Sequence, residues 1–169
     1  MNPLSSVVSN GWLTTYKPLF VLFLMIFIVS LLTSAKDGVI QPMLWMRYFM
    51  AGFFLSFSFF KLINLKGFAD SYSMYDIVAK RIKLWGLIYP FAELVLGIAY
   101  ATGFSPFYTN IATIAIMGIS SIGVIESVAN KKKIQCACLG AVFNLPMSTI
   151  TIIEDLLMVV MAGVMIWMI

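Results

Sequence analysis

Long apolar runs, separated by short polar stretches, set the pattern of this chain. A helix needs roughly 20 predominantly apolar residues to cross a bilayer, and five runs approach or reach this length. Pro18 opens the first run, at a position that suits the first turn of a helix. The runs predict five transmembrane helices, at about residues 18–35, 44–63, 84–104, 107–128 and 147–169.

The connections between these runs differ in length. Only residues 103–106, with a glycine and a proline, separate the third run from the fourth, which predicts a tight hairpin of two antiparallel helices. The segment between the second and third runs is longer and mixes apolar with charged side chains. An amphipathic helix at the membrane interface, over about residues 66–83, and a solvated loop are the two alternatives there.

Composition extends the same interpretation. Of the 169 residues, 62% are hydrophobic and only 11% are charged, too few to cover the surface of a soluble domain. We therefore expect one all-α domain over residues 1–169, a polytopic bundle with a four-helix core plus one further helix. We expect this bundle to lie in a lipid bilayer.

The basic residues are distributed unequally between the two predicted sides of the membrane. Nine lie on the side of the N-terminus and two, Lys36 and Arg47, on the other. Because cytoplasmic segments are enriched in lysine and arginine, the N-terminus and the segment before the last run are expected in the cytoplasm, and Ile169 outside. The cations flank apolar runs and form no basic stripe with interleaved aromatics, so nucleic acid is not an expected partner.

Two cysteines, Cys136 and Cys138, follow a run of three lysines, and the chain has no histidine. Neighbouring cations favour the thiolate, the form that attacks disulfides and binds soft metals. A Cys-x-Cys pair closes only a small, strained ring, which suits exchange better than structural cross-linking. Two such thiolates could also bind Cu(I). The remaining alternatives are an unreactive pair and a palmitoylation site.

The last run adds further candidates for the metal hypothesis. Glu154 and Asp155 fall in its second turn, and they approach the cysteines, together with Met147, if the preceding segment folds back. The alternative metal-ligand set is therefore Cys136, Cys138, Met147 and Glu154. A methionine stripe follows, for which core packing is the competing explanation to a soft-metal path. The stripe consists of Met158, Met161, Met165 and Met168.

Glu93 lies about ten residues inside the third run. Acids at this depth are rare unless they are paired, hydrated or functional, so Glu93 is a candidate catalytic, proton-carrying group. Its expected counter-charge is Arg47 or Lys61. A purely structural salt bridge is the competing explanation.

Three segments together resemble one family. The motif Tyr-Pro-Phe-x-Glu-x-x-Leu-Gly at 89–97, the region 61–75 before it, and Cys-x-Cys-Leu-Gly at 136–140 are similar to the MauE/DoxX group of redox-associated membrane proteins. The similarity spans roughly residues 45–165. Leu139 stands where the family more often has an aromatic residue.

The resemblance implies a bundle of four or five helices in the bacterial inner membrane. It also implies work in thiol–disulfide exchange or protein maturation, as in methylamine utilisation, with a thioredoxin-like partner and with Cys136 and Cys138 at the family's cysteine positions. With only two cysteines the chain could exchange with a partner or a quinone but could not relay electrons between two internal pairs. Because the cysteine pair is expected on the reducing cytoplasmic side, transfer of reducing equivalents outward across the membrane is favoured.

The sequence thus leaves three hypotheses. The first is a redox-maturation component in which Cys136 and Cys138 cycle between dithiol and disulfide, with Glu93 as a buried proton-carrying or structural partner. The second is a transporter or chaperone for Cu(I) or mercury. The third is an assembly partner with no chemistry of its own, and homo-oligomerisation stays open under all three.

Overall fold

The computed structural model describes the backbone of residues 5–36, 39–74, 76–129 and 149–169. This part of the chain is almost entirely helical, which confirms the all-α prediction. The helices are α1 (Ser5–Ser34), α2 (Pro42–Ile63), α3 (Leu65–Tyr72), α4 (Lys83–Thr102), α5 (Pro106–Ala129) and α6 (Thr149–Met168). A short antiparallel pair, β1 (Ala35–Lys36) and β2 (Val39–Ile40), joins α1 to α2.

The ends of four helices agree with the apolar runs to within about two residues. The first helix does not, because α1 begins at Ser5 and Pro18 therefore lies inside it instead of in its first turn. Polar side chains are compatible with a helix that continues beyond the membrane, so an apolar run marks the segment suited to lipid and not the whole helix.

The helices pack around α2. It packs mainly against α4 and α1 and also contacts α6, and α5 packs mainly against α6. Gly97 allows the close approach of α4 to α2, since a Cβ there would lie 2.9 Å from Cγ of Leu55. Helices α2, α4, α5 and α6 thus form the core bundle, and α1 lies outside it against α2.

The outer surface of the bundle is apolar. Phe20 on α1, Val95 on α4 and Trp167 on α6 are 71%, 65% and 87% exposed. Within the described residues, two helical segments are long and apolar enough to cross a membrane, Pro42–Ile63 and Leu84–Thr102. An exposed apolar surface of this extent is expected where lipid, not water, surrounds the protein.

The turn between α4 and α5 confirms the predicted hairpin. Gly103 ends α4 with a left-handed backbone, φ 72°, and the N–H of Phe104 donates to the carbonyl of Ala99 at 3.0 Å. The Tyr100 hydroxyl donates to Oδ1 of Asn110 on α5 at 2.7 Å. This buried hydrogen bond fixes the two helices as neighbours at the end of the bundle opposite Lys61.

Candidate functional site: a buried ion pair beneath a short helix

An ion pair between Lys61 and Glu93 lies inside the bundle. Nζ of Lys61, in the last turn of α2, is 2.5 Å from each carboxylate oxygen of Glu93, in the middle of α4. The two side chains are only 5% and 2% exposed. Lys61 is therefore the counter-charge of Glu93. Arg47 is not, because it lies near the other end of α2, beside Gly103.

Aromatic rings surround the ammonium group. Nζ of Lys61 is 4.9 Å from the ring centroid of Tyr89 and 5.4 Å from that of Phe68. The ring of Tyr72 stacks on that of Phe68, with centroids 5.1 Å apart, and lies tilted against that of Tyr89, with centroids 4.6 Å apart. The faces of aromatic rings attract a cation, and the attraction grows when water is excluded. The rings therefore offset part of the cost of burying Lys61.

Helix α3 supplies two of these rings because its N-terminus is fixed beside the end of α2. Oδ1 of Asn64 accepts a hydrogen bond from the N–H of Gly67 at 3.0 Å, which caps the helix. Gly86 lets α4 pass close to α3, since a Cβ there would lie 3.2 Å from the backbone of Ala69. Phe68 and Tyr72 are consequently almost fully buried over the ion pair.

A second buried carboxylate, Asp76, holds Tyr72 in place. The Tyr72 hydroxyl donates to Oδ2 of Asp76 at 2.9 Å, and Oδ1 accepts from the N–H groups of Val78 and Ala79 at 2.9 and 2.7 Å. Burial, with the neighbouring Asp76 charge, raises the pKa of Tyr72 well above its usual value. The phenol therefore stays protonated and remains a hydrogen-bond donor.

Helices α5 and α6 close the site from the other side. The Tyr89 hydroxyl donates to Sδ of Met117 at 3.4 Å, and the Ser120 hydroxyl donates to Oδ2 of Asp155 at 3.3 Å. We refer to these polar residues as the buried cluster. It comprises Lys61, Tyr72, Asp76, Tyr89, Glu93, Ser120 and Asp155.

Sequence reasoning found only part of this cluster. It selected Glu93, left the counter-charge open between Arg47 and Lys61, and noted Asp155. Tyr89 was noted only as part of the family motif, and no role was predicted for Tyr72, Asp76 or Ser120. The available signal for Tyr72 and Asp76 was their spacing of four residues, which suits a contact across one helical turn. Nothing comparable marks Ser120, whose role depends on how α5 packs.

The predicted sulfur and metal sites are largely beyond the described residues. Cys136, Cys138 and Met147 lie outside them. Glu154 is described and is buried near the start of α6, beside Asp155. Within the described ranges, no group of three or more histidine, cysteine, aspartate or glutamate residues is arranged to hold a metal ion.

The methionine stripe on α6 packs in the core along most of its length. Met158, Met161 and Met165 are 0%, 8% and 1% exposed, whereas Met168 is 41% exposed. The first three belong to the same hydrophobic cluster as the phenylalanines of α2. Core packing accounts for their positions.

The helices form a bundle with an apolar surface, and an ion pair is buried between two helices long enough to cross a membrane. These features are typical of a helical membrane protein with charged groups in its interior. Residues 40–168 match the family described as methylamine utilisation protein MauE, and the chain belongs to this family. The match covers α2 to α6 and leaves α1 outside. A comparison with curated proteins and another with solved structures found no match.

Proposed function

We propose that this protein is a membrane redox-maturation component that cycles Cys136 and Cys138 between dithiol and disulfide with a thioredoxin-like partner. One observation carries the proposal. The segment with the cysteines connects α5 to α6, and these two helices contribute Ser120 and Asp155 to the buried cluster. Membership of the methylamine-utilisation family supports a role in the maturation of another protein.

The proposed reaction is an exchange of one disulfide for another. A thiolate of the reduced partner attacks the Cys136–Cys138 disulfide and forms a mixed disulfide, and one cysteine of this protein leaves as a thiolate. The partner's second thiol then attacks the mixed disulfide, which releases the dithiol and the oxidised partner. Two electrons and two protons pass from partner to protein, and the reverse sequence passes them on.

The direction of transfer follows from the proposed topology. Five transmembrane helices, with the basic residues facing the cytoplasm, put the N-terminus and both cysteines inside and Ile169 outside. In this multi-pass arrangement in a bacterial inner membrane, a cytosolic thioredoxin-like protein supplies the electrons. Lys66, Lys80 and Arg81 are exposed at the end of the bundle where α3 lies, as this orientation requires.

Single-cysteine variants test the proposal. Cys136→Ser and Cys138→Ser each leave one thiol, which is first converted to its mixed disulfide with thionitrobenzoate. We expect the thiol of a thioredoxin-like protein lacking its second cysteine to attack this disulfide in at least one variant, which releases thionitrobenzoate and leaves a mixed disulfide between the two proteins. The double variant is the matched control and should trap nothing. If neither single variant forms a mixed disulfide, or if the double variant complements a deletion of the gene, the protein acts without thiol exchange. Cu(I) binding that depends on both cysteines, without mixed disulfides, would favour the metal hypothesis.

A further inference from the structure

A groove runs between α1 and α2 in the half of the bundle away from the Lys61–Glu93 pair. It has a volume of about 290 Å³, and Met25 and Val29 on its α1 wall are 56% and 53% exposed. We propose that this groove binds an acyl chain of an anionic phospholipid, whose phosphate group is held by Arg47. Such lipid binding is independent of thiol exchange.

The walls of the groove suit hydrocarbon. Gly52 allows α1 to approach α2 closely, since a Cβ there would lie 3.0 Å from Cγ2 of Ile26, which is only 6% exposed. Ser30 and Thr33 line the groove on α1, but their hydroxyls donate to carbonyls of the preceding turn of the same helix, at 2.9 and 2.8 Å. Because these hydroxyls are already hydrogen-bonded, they do not require a polar partner in the groove.

The length of the groove fits one leaflet of a bilayer. Along α2 it extends from Tyr48, near the start of the helix, to Ser56, just past its middle. At a rise of 1.5 Å per residue this distance is about 12 Å. One leaflet contributes about 15 Å of hydrocarbon, half of a core that is roughly 30 Å thick. An acyl chain that enters at the Tyr48 end can therefore follow α2 to the middle of the membrane.

A cation lies at the surface end of the groove. The guanidinium carbon of Arg47 is 4.9 Å from the ring centroid of Tyr48, which lines the groove. Among the residues that the structure describes, Arg47 forms no ion pair, and its Nε has no hydrogen-bond partner. A guanidinium binds the oxygens of a phosphate through charge-assisted hydrogen bonds. A phospholipid whose acyl chain fills the groove would thus place its phosphate beside a cation that the protein leaves unpaired there.

An anionic phospholipid uses both the apolar groove and the charge, whereas a second copy of the chain uses only the groove. The exposed acids of the described residues are Asp70 on α3 and Glu126 near the end of α5, and both lie toward the other end of the bundle. A second copy with the same orientation in the membrane would therefore bring neither of these acids to Arg47. The α1 wall also lies outside residues 40–168, which match the family, so the groove depends on a helix beyond that match.

Photolabelling of the full-length protein tests the proposal. The protein is placed in phosphatidylcholine vesicles with a minor fraction of phosphatidylglycerol that carries a diazirine on its acyl chain, and labelled peptides are mapped by mass spectrometry. We expect residues 25–33 and 48–56 to be labelled more strongly than the exposed apolar surface of α6. Arg47→Gln should lower this labelling about fivefold, the effect of one basic residue on an anionic lipid. Arg47→Lys keeps the charge and should retain most of it.

Matched controls separate the groove from the rest of the surface. Val29→Trp fills the groove and should lower its labelling, whereas Val160→Trp adds the same bulk at a position 60% exposed on α6 and should not. Lys66→Gln removes an equal charge at the other end of the bundle and should leave the labelling unchanged.

Three results would overturn the proposal. The first is labelling of the groove that does not exceed that of α6, or that a phosphatidylcholine carrying the same diazirine matches. The second is labelling that Arg47→Gln leaves unchanged. The third is a groove that stays unlabelled while Val29→Cys gives a disulfide-linked dimer, which would assign the groove to a second copy of the chain.

Discussion

Replacement of Lys61 by methionine removes one member of the buried ion pair while keeping most of its apolar volume. At 2.5 Å and an effective dielectric constant of about 20, the Coulomb attraction between the two groups is about 7 kcal/mol, most of which offsets their loss of hydration. Once Lys61 is gone, Glu93 keeps its desolvation cost without compensation. We expect Lys61→Met to lower the free energy of unfolding by about 3–5 kcal/mol.

Detergent-induced unfolding, followed by circular dichroism, measures this loss. The double variant Lys61→Met plus Glu93→Leu removes both charges and should recover most of the stability, because replacing a buried pair by apolar side chains is often neutral or stabilising. Lys66→Met is the matched control on exposed α3 surface and should change stability by less than about 0.5 kcal/mol. A loss below about 1 kcal/mol for Lys61→Met, or a double variant as unstable as the single one, would show that removing Lys61 does not leave a costly unpaired charge on Glu93.

Two further predictions concern the backbone and the buried phenol. Gly103→Ala should destabilise the protein by about 1–2 kcal/mol in thermal unfolding, because φ is 72° and the new Cβ would lie 2.6 Å from Nη1 of Arg47. Gly118→Ala, where a Cβ meets nothing within 4 Å, should instead be neutral or stabilising by about 0.5–1 kcal/mol, and equal effects of the two would contradict the account. Burial raises the pKa of Tyr72 in the folded protein. The contribution of its protonated phenol to the free energy of unfolding should therefore be complete below the usual pKa of 10.0 and should be lost as the pH rises through the pKa of the folded state. Tyrosinate absorbance near pH 10 should therefore be the same for the folded Tyr72→Phe variant and the folded unmodified protein, and it should be lower for the variant only after both are unfolded. A lower absorbance of the folded variant would show that Tyr72 ionises in the folded protein.

The helices of the bundle could be predicted from the sequence because their apolar runs are long and bounded by turn residues. Residues 103–106 fix the neighbouring helices by themselves, since so short a connection allows only an antiparallel pair. Glu93 was likewise identifiable, because an acid in the middle of an apolar helix needs a partner whatever the fold. The choice of Lys61 over Arg47 needed the antiparallel register of α2 and α4, which no local pattern contains.

The polar chain around the pair depended on tertiary packing and was not predictable. Phe68 and Tyr72 belong to a segment that reads equally as an interfacial helix or a loop, and only the approach of α3 to Gly86 buries them. Ser120 is one small polar residue in an apolar helix and becomes significant because its hydroxyl donates to the buried carboxylate of Asp155 on α6. The start of α1 could not be predicted from its apolar run for a related reason, since a helix can continue through polar residues outside the membrane.

The proposed reversible oxidation of Cys136 and Cys138 can be measured by equilibrating the protein in redox buffers. The protein in lipid vesicles is incubated in mixtures of reduced and oxidised dithiothreitol, and free thiols are then counted by alkylation and mass shift. We expect Cys136 and Cys138 to convert together between dithiol and disulfide, with the same midpoint approached from either direction. Thiols that stay reduced at every ratio, or that oxidise one at a time and irreversibly, would contradict it.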